Sequence, residues 1–68
     1  MIRTRLKVKD VRTEKGFSQR QLARKSGVSL GHISELESGK ANPSLLTLDK
    51  LAAALDVEVF DLLDRTTD

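Results

Sequence analysis

A chain of 68 residues makes one small domain near the lower limit of unaided folding, burying roughly 60 % of its unfolded surface, and the lack of cysteine excludes disulfides and thiolate metal sites. No apolar run nears the roughly 20 residues of a membrane span and the start has no signal-peptide pattern, which points to a cytoplasmic chain. The formal net charge of +2 hides a split: residues 1–34 carry nine basic and two acidic side chains, residues 35–68 three basic and eight acidic, so one cationic side facing a polyanion fits as well as ordinary solvated helix faces do.

In chain order, Ile2, Leu6 and Val8 alternate with Arg3, Arg5, Lys7 and Lys9, which hints at a short extended arm over residues 1–7. Val8 and Val11 then take up helical spacing to about Lys15, with Gly16 suited to a left-handed cap. Ser18 and Gln21 form a capping-box pattern that opens a second helix through about Lys25, and Phe17 and Leu22 are placed as its hydrophobic staple. Gly27 ends it. Ser29 caps a third helix to about Ser38, closed by Gly39, and residues 40–43 read as a loop. Ser44 caps a fourth helix with Leu48, Leu51, Ala52 and Leu55 at core spacing. Residues 56–58 break the pattern, residues 59–63 suggest a short fifth helix, and the polar tail 64–68 is expected to fray. With no cysteine staple, the core must come from compact helix packing, to which a dimer interface is one way of adding.

The third helix is unusual. Val28, Ile33 and Leu36 share one face and read as core together with Val11, Leu22, Ala23, Leu48 and Leu51. The other face carries Ser29, Gly31, Ser34 and Ser38, with Leu30 and His32, where a solvated helix would show Lys and Glu. Two short helices joined by a glycine-containing turn form a helix-turn-helix arrangement.

From Val8 to Leu63 the stretches "VRTEKGFSQRQLA", "SGVSLGHISELESGKANPS" and "LDKLAAALDVEVFDLL" resemble, in order and with almost no insertion, the lambda-repressor-like (phage repressor and Cro, XRE) family of helix-turn-helix domains. The resemblance implies an all-α, compact five-helix DNA-binding domain over residues 8–63, between the arm at 1–7 and the tail at 64–68. It implies a third helix in the DNA major groove and a second helix crossing the backbone. A groove about 12 Å wide admits a helix, and low-bulk residues let its backbone come close. By family position, Ser29, Leu30, Gly31, His32, Ser34 and Glu35 are the base-contacting candidates. Leu30, at a position where the family often has a polar residue, suits a thymine methyl or an apolar protein contact, and Glu35 suits a cytosine amino group.

Ser18 and Gln19 at the start of the second helix, and Ser38, Lys40 and Asn42 after the third, are the phosphate-contacting candidates by the same resemblance. Arg20, Arg24, Lys25 and the arm's Arg3 and Arg5 add to the field or only solubilise. Arg12 and Glu37 occupy positions that pair in the family as a partly buried ion bridge; Arg12 reaching a phosphate is the alternative. Val59, Phe60, Leu62 and Leu63 offer more apolar surface than so short a helix needs, which suggests that part of this face forms a homodimer interface, with the Ile2–Leu6 arm a candidate to extend it. Such dimers place two third helices in successive major grooves of a near-palindromic site. His32 has no cysteine or acidic cluster around it in sequence and no evident nucleophile partner, so neither a metal, a cofactor, a small-molecule substrate nor an enzyme is expected. The reading is a small transcriptional regulator, a repressor by preference, bound to double-stranded DNA. An antitoxin-like regulator that also binds a toxin, or an adaptor that binds protein on the same fold, are the alternatives.

Overall fold

The computed structural model describes the backbone of residues 2–67 and the side chains of residues 6–63. Strand β1 (Ile2–Leu6) leads into helices α1 (Val8–Glu14), α2 (Gln19–Ser26), α3 (Leu30–Ser38) and α4 (Leu45–Leu55), then a single 3-10 turn (Val59–Leu62) and strand β2 (Leu63–Thr67). The helices form the body of the molecule, and the strands pair only with each other.

Cap chemistry sets the helix ends. The Ser18 Oγ accepts from the Gln21 N–H at 3.0 Å while the Gln21 side-chain oxygen accepts from the Ser18 N–H at 2.8 Å, a reciprocal box at the start of α2. Ser29 and Ser44 do half of this, their hydroxyl oxygens accepting from the N–H groups of His32 and Thr47 at 3.1 Å each. At the end of α3, Gly39 adopts φ +83°, a left-handed turn that costs most residues about 1–2 kcal/mol. The turn folds the chain back so that the Glu35 carbonyl accepts from the Lys40 N–H at 2.9 Å. Asp56 ends α4 in the same left-handed region at φ +57° without being glycine.

These stops aim the apolar faces inward. Helix α4 supplies Leu48, Leu51 and Leu55 to the core and packs against α1, α2 and the 3-10 turn, while α2 packs on α3. Val8, Leu22, Ile33 and Leu36 complete the centre, with Val11 and Ala23 half-buried at its edge. A side chain as buried as Ile33 contributes roughly 1.5–3 kcal/mol relative to exposure.

Two expectations change. The fifth helix is one 3-10 turn of four residues: between the left-handed stop at Asp56 and the strand beginning at Leu63 there is no length for a run of i→i−4 bonds. The segment after Leu63, expected to fray, is strand β2, antiparallel to β1 with Ile2 opposite Thr67 and Leu6 opposite Leu63. The Lys7 N–H donates to the Leu62 carbonyl at 2.8 Å, which ties this ribbon to the helical body. The side chains of Arg3 and Arg5 lie outside the described residues.

Candidate nucleic-acid interface

The site is organised around one carboxylate. Glu37, near the C-terminal end of α3, accepts from Arg12 of α1 through both oxygens, Nε to Oε2 at 2.8 Å and Nη2 to Oε1 at 3.0 Å. A third donor arrives from the first residue of α2: the Gln19 Nε2 reaches Glu37 Oε1 at 2.9 Å. Arg12 also donates through Nη1 to the Phe17 carbonyl at 2.7 Å, pinning the loop between α1 and α2. Both charged side chains are nearly withdrawn from solvent, 12 % and 4 % exposed. Burial pushes the Glu37 carboxyl up, but hydrogen bonds from Arg12 and Gln19 outweigh that and hold it below the usual carboxylate range. The hydrogen bond to Glu37 raises the Arg12 guanidinium in turn. One acidic side chain thereby fixes three helices relative to one another.

That arrangement locates the start of α2 beside the outer side of α3. A shallow depression of about 180 Å³ lies there, lined by Lys9, Gln19, Ser34, Glu37 and Ser38. Lys9 escaped the reading of the sequence as a contact residue, because only the fold carries α1 to this junction. Its ammonium brings positive charge to a hollow whose carboxylate is already matched by Arg12.

On α3, Ile33 and Leu36 face inward at 0 % and 2 % exposure, and Ser29, Leu30, Gly31, Ser34 and Glu35 are exposed. Leu30 and Ser34 are one turn apart and share a side of the helix. A Cβ built on Gly31 would meet nothing within 4 Å, so the helix is open at that point. His32 is half-buried, its own N–H taken by the Ser29 cap. The Ser38 hydroxyl donates to the Glu35 carbonyl at 3.2 Å. Lys40 and Asn42 are exposed, but the Lys40 N–H is committed to closing the helix.

At the start of α2, the Ser18 oxygen accepts from the Gln21 N–H and the Gln19 amide serves Glu37, so the Ser18 O–H proton and the peptide N–H groups of Gln19 and Arg20 are donors left for an anion. Arg20, Arg24 and Lys25 are exposed on the same helix, and the Lys25 ammonium sits 5.1 Å from the centre of the Phe17 ring.

The residues expected at a dimer interface divide. Leu62 is fully buried in the chain's own core, because the 3-10 turn directs it under α4, and it is not available to a partner. Phe60 is 81 % exposed, and Val59 and Leu63 are half-buried against the core. Leu45 and Leu46, in the first turn of α4, are 76 % and 63 % exposed. They were missed because their positions beside Leu48 suggest core. Among the described residues there is no cluster of three metal-ligating side chains and no helix long and apolar enough to cross a membrane.

Comparison with known proteins agrees with this geometry. The helix-turn-helix family model matches residues 8–62. The HTH-type transcriptional regulator SinR of Bacillus subtilis is 44 % identical over 60 residues, covering 87 % of this chain and 54 % of SinR. The crystal structure of the restriction-modification controller protein C.AhdI from Aeromonas hydrophila superposes with a TM-score of 0.78 at 40 % identity, covering 81 % of this chain and 83 % of that one. The N-terminal DNA-binding domain of SinR superposes with a TM-score of 0.75 at 42 % identity, covering 79 % and 80 %. The chain thus spans about half the length of SinR and most of the length of the two solved structures.

Proposed function

The chain belongs to the helix-turn-helix family, and from that premise we propose that it binds double-stranded DNA sequence-specifically and regulates transcription. Residues 8–63 are the DNA-binding unit in this reading. Helix α3 enters the major groove with Ser29, Leu30, Gly31, His32, Ser34 and Glu35 toward the base edges. The first turn of α2, with Ser18 and Gln19, and the segment with Ser38, Lys40 and Asn42 meet the phosphates on either side. Gln19 takes part through its peptide N–H, its side chain being held by Glu37.

The observation that carries the proposal is the two-sided character of α3. Its inner side is anchored by Ile33, Leu36 and the Glu37 ion pair, and its outer side is exposed and of low bulk, with Lys9 lining the hollow it shares with Ser34 and Ser38, and with exposed Arg20 in the first turn of α2 and exposed Lys40 just after α3. A helix fixed rigidly from behind and slim in front suits insertion between two phosphate walls.

Repression follows in this reading from occupancy of an operator, and the operator is near-palindromic because the chain acts as a homodimer. Exposed Leu45, Leu46 and Phe60, flanked by half-buried Val59 and Leu63, support that association: these are large apolar side chains the monomer leaves in water. The decisive experiment is a salt titration of binding to duplex DNA. Log K is expected to fall linearly with log salt, with a slope of about −0.9 per phosphate neutralised. Binding to no duplex at low ionic strength would overturn the proposal.

A further inference from the structure

We infer that Leu30 reads the C5-methyl group of a pyrimidine, so that the chain distinguishes thymine and 5-methylcytosine from uracil and cytosine at one base pair of its site. The inference rests on the proposed entry of α3 into the major groove and adds to it the chemistry of the base that is read.

The hydrogen-bonding inventory of α3 leads there. The helix carries no Arg, Lys, Asn or Gln, the side chains that make bidentate pairs with guanine or adenine. Of its polar groups, the Ser29 oxygen holds the His32 N–H and the Ser38 hydroxyl holds the Glu35 carbonyl. One imidazole, the hydroxyl of Ser34, the O–H proton that Ser29 keeps and one carboxylate at Glu35 remain, which is little with which to discriminate four base pairs. Leu30 is the one large apolar side chain exposed on α3. It is the first residue of the helix, and helix-turn-helix proteins bring the N-terminal residues of this helix to base edges. Gly31 follows it with no side chain and open space in front, so nothing of the protein holds the helix away from the groove floor at that level. Ser34, one turn on, is small. In the major groove the one apolar feature of any base is the methyl at pyrimidine C5. Placed against a purine edge or an unmethylated cytosine, the leucine would bury polar atoms without offering them a partner. An apolar docking partner for Leu30 would meet the half of the chain, residues 1–34, that carries nine basic side chains against two acidic ones, a balance that favours a polyanion.

The test begins with the duplex that the full chain enriches from a random pool, remade with deoxyuridine in place of each thymidine in turn. One position is expected to weaken binding about fourfold, the worth of burying one methyl-sized group. At that same position, a 5-methylcytosine–guanine pair is expected to bind about fourfold tighter than a cytosine–guanine pair. Leu30→Ala should erase both differences, and Leu30→Met, which keeps an apolar tip of similar length, should retain them. If the wild-type chain tolerates deoxyuridine at every position of a duplex that it binds, the inference falls while the DNA reading stands. If Leu30→Ala keeps the fourfold penalty, some other group reads the methyl and the inference again falls. Failure to enrich any duplex at low salt overturns the DNA reading and this inference together.

Discussion

The side of the molecule built from α2 and α3 and the side built from α4 and the 3-10 turn treat their surfaces in opposite ways. On the first, Leu22, Ile33 and Leu36 are all buried, the helix starts are capped by serines, and the exposed side chains are small or cationic apart from Gln21, Leu30 and Glu35. On the second, Leu45, Leu46 and Phe60 stand in water, and the charged side chains exposed on these elements are Asp49, Lys50, Asp56, Glu58 and Asp61. A surface of the first kind gains free energy by neutralising a polyanion, and one of the second kind by leaving water. The difference teaches that one 68-residue chain can keep a cationic, low-bulk surface and an exposed apolar surface chemically separate, so the proposed DNA contact and the proposed self-association should respond to different substitutions and different solution conditions.

The strongest test of the contrast attacks the back of α3. Ile33→Ala is expected to lower stability by about 2–5 kcal/mol in urea unfolding, with DNA affinity falling only in step with the folded fraction. Affinity that collapses while the domain stays folded would mean that the inner face of α3 acts on DNA more directly than its burial allows.

Next comes the ion pair. Glu37→Ala leaves Arg12 and Gln19 without their shared acceptor, and an expected loss of about 2–3 kcal/mol reflects that stranded charge. The pH dependence has a definite sign. Because the folded carboxyl lies below its ordinary range, the stabilisation is complete at neutral pH and is lost as pH falls through the ordinary glutamate range toward the depressed value. Urea titrations at stepped pH should show this acid sensitivity in the wild type and a shallower one in Glu37→Ala.

On the other side, Phe60→Ser and Leu46→Ser are expected to leave monomer stability within about 0.5 kcal/mol. Sedimentation equilibrium should show self-association weakened roughly tenfold or more, the exposed apolar surface being what drives it. An unchanged association constant, or a wild-type chain that stays monomeric at high micromolar concentration, would remove the self-associating half of the comparison. The smallest effect belongs to Lys40→Ala, which should weaken all duplexes alike and reduce the salt slope by about one. A change in sequence preference instead would place Lys40 at a base.

Much of the α2–α3 side was legible from the sequence because its rules are local. Ser18 with Gln21, Ser29, Gly27 and Gly39 mark helix ends within a few residues of the bonds they make. Arg12 and Glu37 are 25 positions apart, and no spacing rule joins them; the family resemblance did. Gln19 on Glu37 had no signal at all, since a glutamine at a helix start also suits a phosphate. The α4 side was harder to read for a physical reason. Leu45 and Leu46 differ from Leu48 only in which way α4 turns them, and that is decided by how α4 packs on α2 rather than by its own pattern. Phe60 and Leu62, both expected at an interface, part ways two residues apart once the expected helix becomes a 3-10 turn: Phe60 stays exposed and Leu62 is buried. The strands were legible only as alternation at one end, because pairing between the two ends of a chain has no local signature.

That pairing has a consequence for how the chain can be rewired. With Ile2 held opposite Thr67, the two strands finish side by side. A few flexible residues bridging those points would close the backbone into a ring that leaves every helix in place. New termini could then be opened between Val57 and Glu58, in the break between α4 and the 3-10 turn, and the permuted molecule would keep α2, α3 and α4 uncut.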